Sequence, residues 1–225
     1  MDRIYTGFKS VDKNLKISKG DLVVVGGMPA MGKTCLTCAI IEKTISNQKS
    51  LFFSMQTQKH KAVERLKQYV LEENKKFSLI ENVVDFYEFL MIVAEIKLQQ
   101  ELDVVFIDNF SDFVRCSDFS ASEMVEKIKQ IAKRLGIAIV VTDVILEVND
   151  IPMYRNILHK QFIKHANKII IVNKIDKLTD SEDMAFELEK NGVFEIITDK
   201  NMDKYYNPYV HLSFDYKLLT FDEIL

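Results

Sequence analysis

The sequence predicts an α/β fold in which a mainly parallel central sheet is flanked by helices and closed by an antiparallel meander. Two observations point to the parallel part: apolar, β-branched runs alternate with helical patterns from Asp21 to Asn173, and a glycine-containing loop joins the first run to its helix. A third points to the meander, because the last third of the chain carries strand patterns with short connections and no helix between them.

The elements follow in order. Asp21 to Val25 (DLVVV) reads as a strand buried on both faces, ending at Gly26 and Gly27, with a helix expected over 33–46. Residues 50–55 form a second run, followed by TQKHKAVERLKQYVLEE, whose Ala62, Val63, Leu66, Tyr69 and Val70 recur at helical spacing. Asp85 with Glu88 starts the apolar helix FYEFLMIVAEIKLQQ, and residues 103–108 (DVVFID) form the third strand. Ser120 with Glu123 is a capping box for EMVEKIKQIAKRL, which stops at Gly136 before a fourth strand, IAIVVTD; KIIIVN from Lys168 is the fifth. VFEIITD, YVHLSFD and KLLTFDE supply the meander, and TDSEDMAFELEK before it fits either a short helix or a loop.

Bulk properties narrow the function. A length of 225 residues with 48% hydrophobic content fits one compact domain over 1–225, since 7 Gly and 3 Pro leave no room for a long linker. The net charge of −3 disfavours a nucleic-acid partner unless basic residues gather on one face. Cys35, Cys38 and Cys116 complete neither a zinc site nor a disulfide framework and suit a reducing cytoplasm; Cys35 and Cys38, one helical turn apart, are expected to be packed structural thiols. The chain shows neither an export signal nor an apolar run of membrane-spanning length, so a cytoplasmic protein with no membrane partner is expected.

The chemistry concentrates in GGMPAMGKT. The pattern Gly27, four residues, Gly32, Lys33, Thr34 lies after a buried strand and opens a helix, the context that a phosphate-binding Walker A loop requires. Gly27, Met28, Pro29, Ala30, Met31 and Gly32 would shape a loop whose backbone N–H groups meet phosphate oxygens, Lys33 would reach the outer phosphates, and Thr34 would ligate Mg²⁺. Asp108, at the end of an apolar strand, stands where a Walker B carboxylate holds Mg²⁺. ATP and Mg²⁺ are the expected cofactors.

The order of these motifs resembles the RecA-like C-terminal ATPase domain of DnaB-type replicative helicases. TGFKSVDKNLKISKGDLVVVGGMPAMGKTCLTCAI is similar to the family's TGF-x-x-L-D lead-in, GDL strand and P-x-MGKT loop. SLFFSMQTQKHKAVERL, LDVVFIDNFSDF, SASEMVEKIKQIAKRLGIAIVVTDV and GVFEIITDKNMDKYYNPYVHLSF resemble successive later parts. The resemblance implies a P-loop ATPase acting in DNA replication, a hexamer-like homo-oligomer or a replication-protein partner, and single-stranded DNA as a further ligand. The family's helical N-terminal domain has no counterpart in these residues.

Several working positions depart from the family. Where it places a glutamate that activates the attacking water, this chain has Gln56; an amide orients water but takes no proton, so hydrolysis is expected to be weak or absent. Asp143, at the family's polar sensor position, is a candidate replacement carboxylate. The basic stretch that the family sends to a neighbour's nucleotide corresponds to Asp199, Lys200 and Asn201, without an arginine; Lys200 and Lys204 are the nearby cations. The loops expected to meet DNA hold Arg115, Arg155, Lys160 and Lys164 against Glu147 and Asp150, with Phe110, Phe113 and Tyr154 available for stacking or packing. Three alternatives stand beside the weak ATPase: an active ring-forming DNA helicase or translocase, a non-enzymatic interaction module, and a GTP-binding protein reading guanine through Asn173 to Asp176.

Overall fold

The computed structural model describes residues 3–55, 60–71, 76–81, 85–146, 157–175, 192–201 and 209–224. A short antiparallel ribbon of β1 (Arg3–Ile4) and β2 (Ile17–Ser18) brackets α1 (Lys9–Asn14). The lead-in motif has a structural use here. Asp12 accepts from the Thr6 amide at 2.8 Å and hydroxyl at 2.9 Å and from the Gly7 amide at 3.1 Å, pinning the chain before it enters the sheet.

The first core strand, β3 (Leu22–Gly27), is buried throughout and runs on through both glycines. Then come α2 (Lys33–Thr44), β4 (Ser50–Ser54), α3 (Lys61–Leu71) and β5 (Phe77–Glu81). Next are α4 (Phe86–Gln99), β6 (Val104–Asp108), α5 (Phe110–Arg115), α6 (Ala121–Leu135), β7 (Ala138–Val144), α7 (Gln161–His165) and β8 (Lys168–Ile175). The chain closes with β9 (Gly192–Asn201), β10 (Tyr209–Asp215) and β11 (Thr220–Glu223).

Among the described residues, nine strands share one sheet in the order β11-β10-β9-β8-β3-β7-β6-β4-β5. The pairs from β8 through β3, β7, β6 and β4 to β5 are parallel. From β8 to β11 they are antiparallel, as the sequence pattern requires. Several features depart from the sequence expectation, among them β1, α1, β2 and α7, which it lacks, and two others. β5, an edge strand, is absent from it, because FSLIE is only five residues long and follows a helical run. α5 forms where the sequence suggests a loop, started by Asn109, whose side chain accepts the Asp112 amide at 2.9 Å.

Period-two alternation splits the core into two layers. Val23, Val25, Phe52, Phe106 and Val140 pack with α2 and α3 on one face, joined by Phe194, Phe214 and Phe221 of the meander. Leu22, Val24, Phe53, Ile107 and Val141 pack with α4, α5, α6 and α7 on the other. α2 is buried along nearly its whole length, since the sheet and the meander both cover it. Cys35 and Cys38 are buried in it, and burial pushes the Cys35 thiol up to about 11 and Cys38 well above its usual range, as inert packed thiols require. Among the described residues no helix is long and apolar enough to cross a membrane.

Candidate functional site

Parallel strands ending side by side place their last residues around one crevice. β3 ends at Gly27, and the loop that follows enters α2 with Ala30 at φ 63° and Gly32 at φ 75°. Left-handed residues in such a turn favour a concavity of backbone N–H groups that suits an anion, and here the Met31 amide donates to the Met28 carbonyl at 3.3 Å. Gly32 is required twice over, by its left-handed φ and by Phe221, whose ring lies 3.1 Å from where a Cβ would stand. A Cβ on Gly27 would meet the Val172 carbonyl oxygen at 2.9 Å, so β8 closes the loop from behind.

Lys33 Nζ donates to the carbonyls of Gly27 and Met28, each at 2.8 Å, so the ammonium is held across its own loop. Burial lowers its pKa, and the carboxylates of Asp108 and Asp143 act in the opposite direction. Thr34, one residue on, is also buried.

Asp108, the last residue of β6, is 1% exposed. The Thr142 hydroxyl donates to its Oδ1 at 2.5 Å, and the Thr34 hydroxyl also faces the carboxyl, while Oδ2 has no hydrogen-bond partner among the described residues. Burial raises its pKa, against the two hydroxyls, His60 and Lys33. A buried carboxylate oxygen left unpaired beside a threonine hydroxyl offers oxygen donors that suit a divalent cation, while the neighbouring Lys33 ammonium suits an anion. Loop residues 29–34, His60, Asp108, Asn109 and Val144 line a cavity of about 430 Å³, room for a polyphosphate.

Asp143 lies elsewhere. Successive strand residues face opposite sides of a sheet, so Thr142 shares the α2 face with Asp108 while Asp143 faces the α5 and α7 side. Both its oxygens are engaged by His159, one by the ring Nδ1 at 2.8 Å and the other accepting the backbone amide at 3.2 Å. Phe110 and Phe162 meet that imidazole edge to face, at 4.8 and 6.5 Å between centroids. Asp143 is absent from the cavity lining, though its charge acts on Lys33.

Gln56, Lys204, Glu147, Asp150, Tyr154, Arg155 and Asp176 lie outside the described residues, as does the acidic stretch at 179–190. Asn173 to Ile175 do not form a loop; they continue β8 and pair with β9, Asn173 opposite Glu195. Asp199, Lys200 and Asn201 lie on β9, where Asn201 stands opposite Lys168. Phe110 and Phe113 are fully buried, and Arg115 pairs with Asp112, so α5 offers neither a stacking platform nor a free cation. Lys160 and Lys164 are exposed around α7.

The cavity wall and the carboxylate behind it also draw on residues that no sequence motif marks. Thr142 is hidden inside an apolar run, one place before Asp143. Asn109 follows the strand-end aspartate. His60 precedes the first turn of α3, and its one signal is a polar residue at a helix start.

With this geometry the first third of the chain finds its relatives. Residues 3–78 match the DnaB-like helicase C terminal domain. The matched segment covers the lead-in, β3 and the loop after it, α2, β4, α3 and the start of β5. Among solved structures, an ATPase domain superimposes with a TM-score of 0.77 at 16% identity, covering 99% of this chain and 91% of that one. A KaiC-like protein from the hyperthermophilic archaeon Pyrococcus horikoshii gives 0.71 at 13% identity, covering 97% of each chain. A DnaB-like replicative helicase, described together with its interactions with primase, gives 0.75 at 14% identity; the match covers 99% of this chain and 63% of that one. No curated protein sequence matches. The shared fold is RecA-like, an α/β sheet mostly parallel with antiparallel strands at its C-terminal end.

Proposed function

We propose that this protein binds ATP with Mg²⁺ in a DnaB-helicase-like manner and hydrolyses it slowly or not at all, its nucleotide state governing self-association or a replication partner. The observation that carries the reading is the meeting of Lys33, Thr34 and Asp108, whose Oδ2 has no partner among the described residues, beside a loop with left-handed Ala30 and Gly32. The loop amides and Lys33 bind and orient phosphates, and Thr34 and Asp108 are the residues that would hold Mg²⁺. The cation, when bound, neutralises charge on the outer phosphates. The weak turnover rests on Gln56, which presents an amide where the resembled family has a glutamate.

The test is direct. ATP with Mg²⁺ at ~100 times its dissociation constant should add ~2.7 kcal/mol of stability in a thermal shift, and Lys33→Ala should remove the shift. GTP in the same assay measures base preference. Single-turnover assays with and without single-stranded DNA should show little product, and Gln56→Glu should raise the rate by on the order of 10²-fold or more, the usual contribution of a general base. Rapid hydrolysis by the unmodified protein would overturn the weak-turnover reading and favour a motor.

A further inference from the structure

One side chain of the cavity wall is explained neither by the phosphate loop nor by the strand-end carboxylate. His60 is the N-cap of α3. Its carbonyl accepts the amides of Val63 at 2.9 Å and Glu64 at 3.0 Å, and its ring Nδ1 accepts the amide of Ala62 at 3.2 Å. A ring nitrogen that accepts a hydrogen bond carries no proton, so the neutral imidazole keeps its proton on Nε2. Partial burial lowers the pKa of the ring against the pull of Asp108, and the positive end of α3 also disfavours the imidazolium. Neutral histidines at helix starts serve as hydrogen-bond donors to developing or fixed negative charge elsewhere in enzymology.

His60 lines the cavity with Lys33, Thr34 and Asp108, and its ring and the Asp108 carboxyl act on each other electrostatically. The ring Nε2–H is a donor with no partner among the described residues, at the wall of a site that suits an anion. We propose that His60 contacts the nucleotide, donating from Nε2 to the outermost phosphate of a bound nucleoside triphosphate and thereby linking the presence of that phosphate to the first turn of α3. The inference rests on the nucleotide-binding function proposed above and adds a residue to it. His60 acts here as a donor and not as the base that Gln56 fails to supply, because protonation at Nδ1 would break the cap on Ala62. Its contact distinguishes triphosphate from diphosphate, since the loop amides serve the inner phosphates in both.

The experiment measures equilibrium binding of ATP and of ADP, each with Mg²⁺, to the full chain and three variants. His60→Ala should weaken ATP roughly tenfold or more, the scale of a hydrogen bond to a charged group, and leave ADP within about twofold. His60→Asp keeps an acceptor for the Ala62 amide but replaces the donor with a carboxylate, so with the helix cap intact it should weaken both nucleotides by repulsion and ATP, which also loses its donor, more than ADP. His60→Asn retains cap and donor and should recover part of the preference. Equal losses for ATP and ADP in His60→Ala, or no loss of ATP in His60→Asp, overturn the inference while leaving the loop's function standing. Failure of the unmodified protein to bind either nucleotide overturns both.

Discussion

Thr142 shows how a single hydroxyl prepares the site. It is buried in β7 and spends its proton on Asp108, whose other oxygen stays unpaired among the described residues. On the proposal that Asp108 holds Mg²⁺, a residue that orients it is worth about 10–100-fold in metal affinity, so Thr142→Val should weaken Mg²⁺-supported ATP binding by about that factor in a titration. A stability effect accompanies it. Burial raises the Asp108 pKa, so the folded chain holds that proton more tightly than the unfolded chain, and stability falls as pH rises from the ordinary carboxylate range through the raised value. Thr142→Val removes a hydrogen bond that lowers this pKa, which widens the window. The variant should lose about 1–3 kcal/mol in urea denaturation at neutral pH and less at acidic pH. A loss independent of pH would show that the hydroxyl serves packing alone.

Among the elements, α6 carries its own instructions. The Ser120 hydroxyl accepts the Glu123 amide at 3.3 Å, and Glu123 Oε2 accepts from the Ser120 amide at 2.9 Å and hydroxyl at 2.7 Å. Gly136 ends the helix at φ 59° with nothing near a would-be Cβ, so the glycine serves the turn and not a close contact. Met124, Val125, Ile128, Ile131 and Ala132 form the buried stripe on one side. Ser120→Ala should cost about 1 kcal/mol, seen as a melting temperature lower by about 2–4 °C, with nucleotide binding unchanged because α6 packs on the face opposite α2. α5 differs, because its six residues form a helix on the strength of the Asn109 cap and two fully buried phenylalanines, Phe110 and Phe113.

Across the molecule, the meander returns to the loop between β3 and α2. Phe221 of β11 is fully buried, packs against Phe194 and Phe214 at 5.2 and 4.8 Å between centroids, and abuts Gly32. Glu223 accepts the Ser10 amide at 2.6 Å, and Asp222 pairs with Lys43 of α2 at 2.6 Å. The last strand thus fastens α1, α2 and the loop between β3 and α2. Phe221→Ala should cost about 3–5 kcal/mol of stability, and its cavity under Gly32 should also weaken ATP binding. Circular dichroism melts and nucleotide titration on the same sample separate the two effects. A stable variant with unaltered binding would show the loop to be independent of the meander.

The parallel core was legible because both faces of β3, β6 and β7 are covered, and such strands must be continuously apolar. The loop between β3 and α2 was legible because its glycines and lysine stand at fixed spacing within one local turn. The caps of α4 and α6 were written in Asp85 and Ser120 for the same local reason. What the linear order could not decide was which strand ends become neighbours. Sheet order brings β7 between β3 and β6, and alternation then points Thr142 toward Asp108 and turns Asp143 to His159, though the two residues are adjacent in the chain. Likewise β8 extends through Asn173 because β9 is there to pair with it. Local chemistry was thus determined by the sequence, whereas the choice among adjacent side chains was made by pairing and pleat, which depend on contacts between distant segments.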